Sequence, residues 1–241
     1  MTPLVFVHGF MGGSAQWALQ APLGQARELI CLDLPGFGHN AGMAPIDRIE
    51  DFAAWALDDL KSRQVARFDL LGHSMGGMIV QEMIRQAPER VRRLVLYATG
   101  ARGVLPGRFE TIQTSMQRAL EDGAQATARR ISATWFLQRD AAEQYEHCAK
   151  VAEMAGLDAI LAGLAAMRDW SGEEHLPTIS ADTLIVWGDE DRTYSWSETE
   201  LLWRDIPNRN LAVLPSCAHA VHFERPTLFN GLVAEFLSRR A

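Results

Sequence analysis

The chain has 241 residues, with 23 Lys and Arg against 30 Asp and Glu, giving a formal net charge of −7. Apolar residues make up 48% and charged residues 22%, close to globular averages, which excludes overall disorder, and the acidic balance argues against a nucleic-acid partner. This length suits one α/β core, with or without an insertion, that folds without disulfide or metal staples.

Short apolar runs alternate with helical patterns. Residues 4–7 (Leu4-Val5-Phe6-Val7) read as a strand ending at His8-Gly9, and residues 28–33 as a second ending at Pro35-Gly36. Ile46, Ile49, Phe52, Ala53, Ala56 and Leu60 repeat at steps of three and four, one face of a helix. A strand at 68–71 leads through Gly72 into a helix over 75–86, stopped before Pro88, and a fourth strand follows at 94–97. Residues 101–178 then break the rhythm: no strand is apparent, and helices can be drawn over 109–121, 124–137, 141–155 and 157–167. The pattern resumes with a strand at 183–187, a helix through Leu201, Leu202 and Ile206, and a strand at 210–214. A last helix carries Phe229, Leu232, Val233 and Phe236, with Pro226 suited to its first turn. Strands this short and apolar belong in a sheet covered on both faces. The expectation is a doubly wound, mostly parallel α/β sheet of about six strands, with a ligand outside the carboxyl ends of the strands. Residues 1–100 and 179–241 would form the core, and 101–178 a helical insertion over it, since one crossover rarely needs so much chain.

Cys31, Cys148 and Cys217 have neither a disulfide pattern nor zinc-ligand spacing, so a reducing compartment is expected. No basic segment precedes the first apolar stretch, and no apolar run approaches the roughly 20 residues that span a bilayer. These features predict a soluble, cytoplasmic protein with no membrane partner.

Chemistry concentrates at Gly72-His73-Ser74-Met75-Gly76, a G-x-S-x-G pattern between a strand and a helix. That context is the strained turn that lifts a serine hydroxyl clear of a sheet; the plain alternative is a serine capping a tight turn. A serine needs a base. His219 lies after the last strand, where a loop can reach the same sheet edge, and is preferred over its near competitor His222. The imidazole needs a carboxylate to fix its tautomer. Asp189, Glu190 and Asp191 share the loop after Gly188, with Asp191 the choice. The order Ser74, Asp191, His219 is that of a hydrolase triad on such a sheet. Charge developing on a substrate oxygen calls for two donors, here the backbone N–H groups of Met75 and Phe10. The loop His8-Gly9-Phe10-Met11-Gly12-Gly13 lacks the spacing of a phosphate cradle and could equally be a glycine-rich turn without a ligand.

With Val7-His8-Gly9-Phe10, Asp33-Leu34-Pro35-Gly36-Phe37-Gly38, the elbow, Gly188-Asp189-Glu190-Asp191, His219 and Glu224-Arg225-Pro226, the chain resembles the α/β-hydrolase superfamily. The resemblance implies a Ser-His-Asp triad, a helical cap where residues 101–178 lie, and no metal or organic cofactor. Asn40 stands where many members carry Ser. The first strand begins where the family's third would lie, so the N-terminal hairpin is missing from the pattern. That leaves a sheet edge exposed or paired with a partner chain, through which an oligomer could form. Within the superfamily the chain looks most like the 3-oxoadipate enol-lactonase and small carboxylesterase members, which implies a small-molecule ester or lactone substrate and an acyl-serine intermediate. On that footing Phe10, Met11 and Met75 would floor the pocket. Trp135, Phe136, Trp170 and Trp196 could line it, or belong to the cap's own core. Arg129, Arg130, Arg139 or Arg168 could receive a substrate carboxylate, or simply be solvated. Other functions stay open on the same triad: a carbon–carbon bond hydrolase of ring-cleavage products, the elimination enzyme of menaquinone synthesis, or a receptor or regulator that binds rather than turns over.

Overall fold

Six apolar runs become strands: β1 (Leu4–Val7), β2 (Leu29–Cys31), β3 (Phe68–His73), β4 (Val91–Tyr97), β5 (Asp182–Gly188) and β6 (Arg209–Leu214). The computed structural model describes residues 2–105 and 110–239. Within them the strands form one sheet in the order β2-β1-β3-β4-β5-β6, every neighbouring pair parallel. The expected "mostly parallel" sheet is therefore wholly parallel. Side chains alternate faces along each strand. Val5, Val7, Leu70, Leu94 and Leu96 join one apolar core. Leu4, Phe6, Leu71, Val95 and Tyr97 join a second on the other side.

Helices cover both faces. On the first, α1 (Ile49–Ser62) buries Ile49, Phe52, Ala53, Ala56, Leu57 and Leu60 beside α2 (Met75–Gln86). Helix α6 (Trp196–Asp205) adds Leu201 and Leu202 to the same core. On the second, α8 (Pro226–Ser238) contributes Phe229, Val233 and Phe236, with Pro226 in its first turn. The chain leaves β1 toward β2 on one side and returns to β3 on the other. The order thus reverses between β1 and β3, where a crevice opens at the carboxyl ends of the strands. Ser74 follows β3 at that point.

Between β4 and β5 lies an inserted helical region with α3 (Ile112–Ala133), α4 (Tyr145–Ala152) and α5 (Leu157–Arg168). The two helices expected over 109–121 and 124–137 run as α3, interrupted at Gly123, whose φ of 81° and ψ of 172° are not helical. The expected start at Phe109 lies outside the described residues. The ends of the insert are tied together by an antiparallel bridge between Arg102 and Ser171 and by the Gly103 N–H to Trp170 carbonyl hydrogen bond of 3.0 Å. Arg102 also forms a two-pronged ion pair with Glu173. No helix among the described residues is long and apolar enough to cross a membrane.

Candidate active site

Close backbone packing shapes the turn that carries Ser74. A Cβ built on Gly72 would lie 2.3 Å from the Gly76 carbonyl oxygen, and one built on Gly76 would lie 2.3 Å from that of Val7. Only glycine lets β1, the end of β3 and the start of α2 approach so closely. Ser74 itself has φ 55° and ψ −120°, a sparsely populated conformation that the surroundings must impose. Its N–H donates to the Tyr97 carbonyl at 3.0 Å. Its carbonyl accepts from the Gly77 N–H and the Thr99 hydroxyl, both at 2.8 Å. Ser74 occupies the cap position of α2, yet its side chain makes no capping hydrogen bond. The hydroxyl is thus not spent on the helix, unlike in the plain capping alternative.

His219 and Asp191 reach the same region from two other strand ends. His219 Nδ1 lies 2.9 Å from Asp191 Oδ2, and both side chains are almost fully buried. Asp191 Oδ1 accepts the N–H groups of Thr193 at 2.7 Å and Tyr194 at 3.2 Å. A carboxylate so arranged only accepts, so Nδ1 of His219 is the donor of that bond and Nε2 is turned away from the acid. The Tyr194 ring stacks on the imidazole at 5.8 Å and 15°. Asp189 and Glu190 are exposed, and it is Asp191 that meets the histidine.

The remaining histidines of the region have other duties. His222 Nδ1 is 2.9 Å from the Tyr97 hydroxyl, which itself donates to the His219 carbonyl at 3.0 Å; His222 Nδ1 is therefore the donor in that contact. Complete burial, helped by neighbouring His219, pushes His222 down to about 3. His73 Nε2 donates to the same His219 carbonyl at 3.2 Å, and its ring stacks on Tyr97 at 4.6 Å. Burial and the neighbouring His219 and His222 hold His73 well below the usual imidazole range. His8 donates from Nδ1 to the Gly9 carbonyl at 2.8 Å and accepts the Leu34 N–H on Nε2 at 3.0 Å. Burial lowers it to about 4, so it is a neutral tie between the loops after β1 and β2. A Cβ on Gly9 would come within 3.1 Å of Ser74 Cβ, so this loop lies directly against the serine.

Ser74 and His219 line one cavity, with Gly9, Phe10, Trp135 and Cys148 among its other walls. The free space at its centre is about 10 Å³, on the order of a single water molecule. Trp135 is the member of the expected Met11, Trp135, Trp170, Trp196 and Arg168 set that lines it. Met11 is fully buried in the core next to the loop. Trp170 is turned away, its indole N–H donating to Glu82 at 3.0 Å. Trp196 is 41% exposed and packs on Trp187. Arg168 is exposed and paired with Asp169. Cys148 and Phe223, which also line the cavity, were not expected there. Cys148 shares the apolar stripe Tyr145, Cys148, Ala149, Ala152, whose helical spacing marks an inward face. Burial pushes its thiol up, so it stays neutral beside Ser74. Among the described residues no group of three or more His, Cys, Asp or Glu is gathered to hold a metal.

Residues 4–232 match the model of the alpha/beta hydrolase family. The chain belongs to that family. This alpha/beta hydrolase is 29% identical to the dihydrolipoyllysine-residue acetyltransferase component of the acetoin cleaving system of Pseudomonas putida, over 99% of its own length. It spans 64% of the length of that relative. It is 28% identical to the pimeloyl-(acyl-carrier protein) methyl ester esterase of Pectobacterium atrosepticum, with 98% of this chain and 94% of the relative aligned. Among solved structures it superimposes on an enol-lactonase from Burkholderia xenovorans with a TM-score of 0.89 at 22% identity, covering 99% of this chain and 92% of the other. At that identity the likeness is one of fold.

Proposed function

We propose that this alpha/beta hydrolase cleaves a carboxylic ester or lactone through an acyl-serine, with Ser74 as nucleophile, His219 as general base and acid, and Asp191 as the group that orients His219. The observation that carries this reading is the 2.9 Å His219–Asp191 hydrogen bond, together with the cavity that His219 lines with Ser74. The esterase activity of the Pectobacterium relative supports it at 28% identity. Ser74 Oγ attacks the carbonyl carbon while its proton passes to His219 Nε2. The backbone N–H groups of Phe10 and Met75 hold the resulting oxyanion, the first beside Gly9 against Ser74 and the second at the head of α2. Collapse breaks the bond to the leaving oxygen, which takes the proton from His219. Water then loses a proton to the same imidazole and attacks the acyl carbon; the bond from that carbon to Ser74 Oγ breaks, His219 returns the proton to Oγ, and the acid leaves. Asp191 stays ionised throughout and stabilises the imidazolium. The region 101–178 acts as a cap, and a cavity with room for about one water molecule widens to admit a substrate.

The decisive test is a panel of p-nitrophenyl esters and lactones on the wild type and Ser74→Ala. The variant should lose about 10⁴-fold or more in kcat, and a fluorophosphonate should label the wild type at Ser74 alone. Turnover that survives Ser74→Ala would overturn the assignment.

A further inference from the structure

The hydrolytic cycle makes no use of the motif Glu224-Arg225-Pro226, at the end of the short helix α7 (Val221–Glu224). The Glu224 carboxylate spans two parts of the molecule. Oε1 accepts the Leu137 N–H at 2.6 Å, and Oε2 accepts the Ala218 N–H at 2.7 Å. Leu137 lies in the turn after α3, within the cap, whereas Ala218 immediately precedes His219. Two further links cross the same seam. The Ala220 N–H donates to the Trp135 carbonyl at 2.9 Å. Arg192, next to Asp191, donates to the Phe136 carbonyl at 3.2 Å. Residues 135–137 are thus bonded directly to Ala220 and Arg192, the neighbours of His219 and Asp191, and through Glu224 to Ala218 on the other side of His219, while Trp135 itself walls the cavity.

We propose that Glu224 is a positioning residue, a carboxylate clamp that locks the His219 loop onto cap residues 135–137, so that the imidazole is held for Ser74 only while the cap is seated. This rests on the Ser74–His219–Asp191 assignment above. A carboxylate suits this role because both of its oxygens only accept, and each takes one short charge-assisted bond from a backbone N–H. A carboxamide offers one acceptor, and its NH₂ would face the other N–H, so it can keep one half of the clamp at a time. A widening of the cavity at Trp135 therefore pulls on the His219 loop through bonds that Glu224 makes stiff.

Glu224→Ala and Glu224→Gln separate this from a merely structural role. With p-nitrophenyl acetate, Glu224→Ala should lose about 10–100-fold in kcat, the scale expected when a reacting group is displaced by about 1 Å. KM should hold within about twofold and Glu224→Gln should fall between, since binding is not the step affected. Added formate, which can accept both N–H groups, should restore part of the kcat of Glu224→Ala. Amide hydrogen exchange read on the same proteins should quicken together at 134–137 and at 217–220, with residues 68–73 unchanged. A kcat within about twofold of wild type in both variants, or exchange that quickens in one segment only, overturns the clamp. Should Glu224→Ala fail to fold, Glu224→Gln decides by the same two readouts. Should the wild type neither hydrolyse esters nor take up a fluorophosphonate, the hydrolytic reading fails, and the exchange comparison still decides whether Glu224 couples the two segments.

Discussion

Tyr97 makes three hydrogen bonds with one hydroxyl. It donates to the His219 carbonyl and accepts from the His222 N–H and from His222 Nδ1. It thereby fixes the backbone of His219 from beneath while Asp191 fixes the ring. Tyr97→Phe leaves these buried groups short of partners, although the His219 carbonyl keeps its bond from His73. The expected cost is about 1–3 kcal/mol of stability, read by urea denaturation, with a several-fold fall in kcat. An unchanged midpoint would mean that the site relaxes around the loss. Ser74 could be recognised from sequence because its flanking glycines, the preceding strand and the following helix all demand the same turn. The choice among Asp189, Glu190 and Asp191 could be framed but not settled in that way. The Asp191 N–H closes a turn onto the Gly188 carbonyl at 3.0 Å, and that turn aims the third acid inward while leaving the first two in solvent. Glu224 had a motif but no visible partner, since Leu137 lies 87 residues away.

At the level of elements, α3 shows what periodicity reads correctly. The pattern called for two helices parted near Asp122-Gly123, and the chain kinks at Gly123, so that α3 is two helices in succession. Both belong to an inserted region in which α3 packs on α4 and α5. A Cβ at Gly123 would meet nothing within 4 Å. Its φ of 81° with ψ of 172° lies in a region that is essentially glycine's own. Gly123→Ala should therefore cost about 1–3 kcal/mol through the backbone alone. Faster hydrogen exchange confined to the inserted helices, with β3 and β4 unaffected, would be the signature, and an exchange pattern identical to wild type would refute it.

For the whole molecule, the buried histidines set the acid limit. His8, His73 and His222 are all held neutral by burial, with His8 at about 4 and His222 at about 3 against an ordinary 6.5. Each binds its proton more readily in the unfolded chain. Their contribution to stability is therefore complete above about pH 6.5 and is lost as pH falls through the window down to about 4 and below. Near pH 5, unfolding should take up about three protons from these groups. The thermal midpoint should drop steadily from pH 7 to pH 5, and less steeply in His222→Phe. A flat midpoint over that range would show that the histidines are already charged in the fold.

The amino-acid order by itself determined the six strands, the helices that cover them and the serine turn. Each depends on neighbours a few positions apart, whose apolar spacing and small residues leave few conformations open. Tertiary structure alone decided which acid meets His219, which tryptophan reaches the cavity and what Glu224 holds. His219 meets an acid 28 positions away and Glu224 an N–H 87 positions away, and no local pattern records where a loop end comes to rest until the sheet and the inserted helices have set the distance.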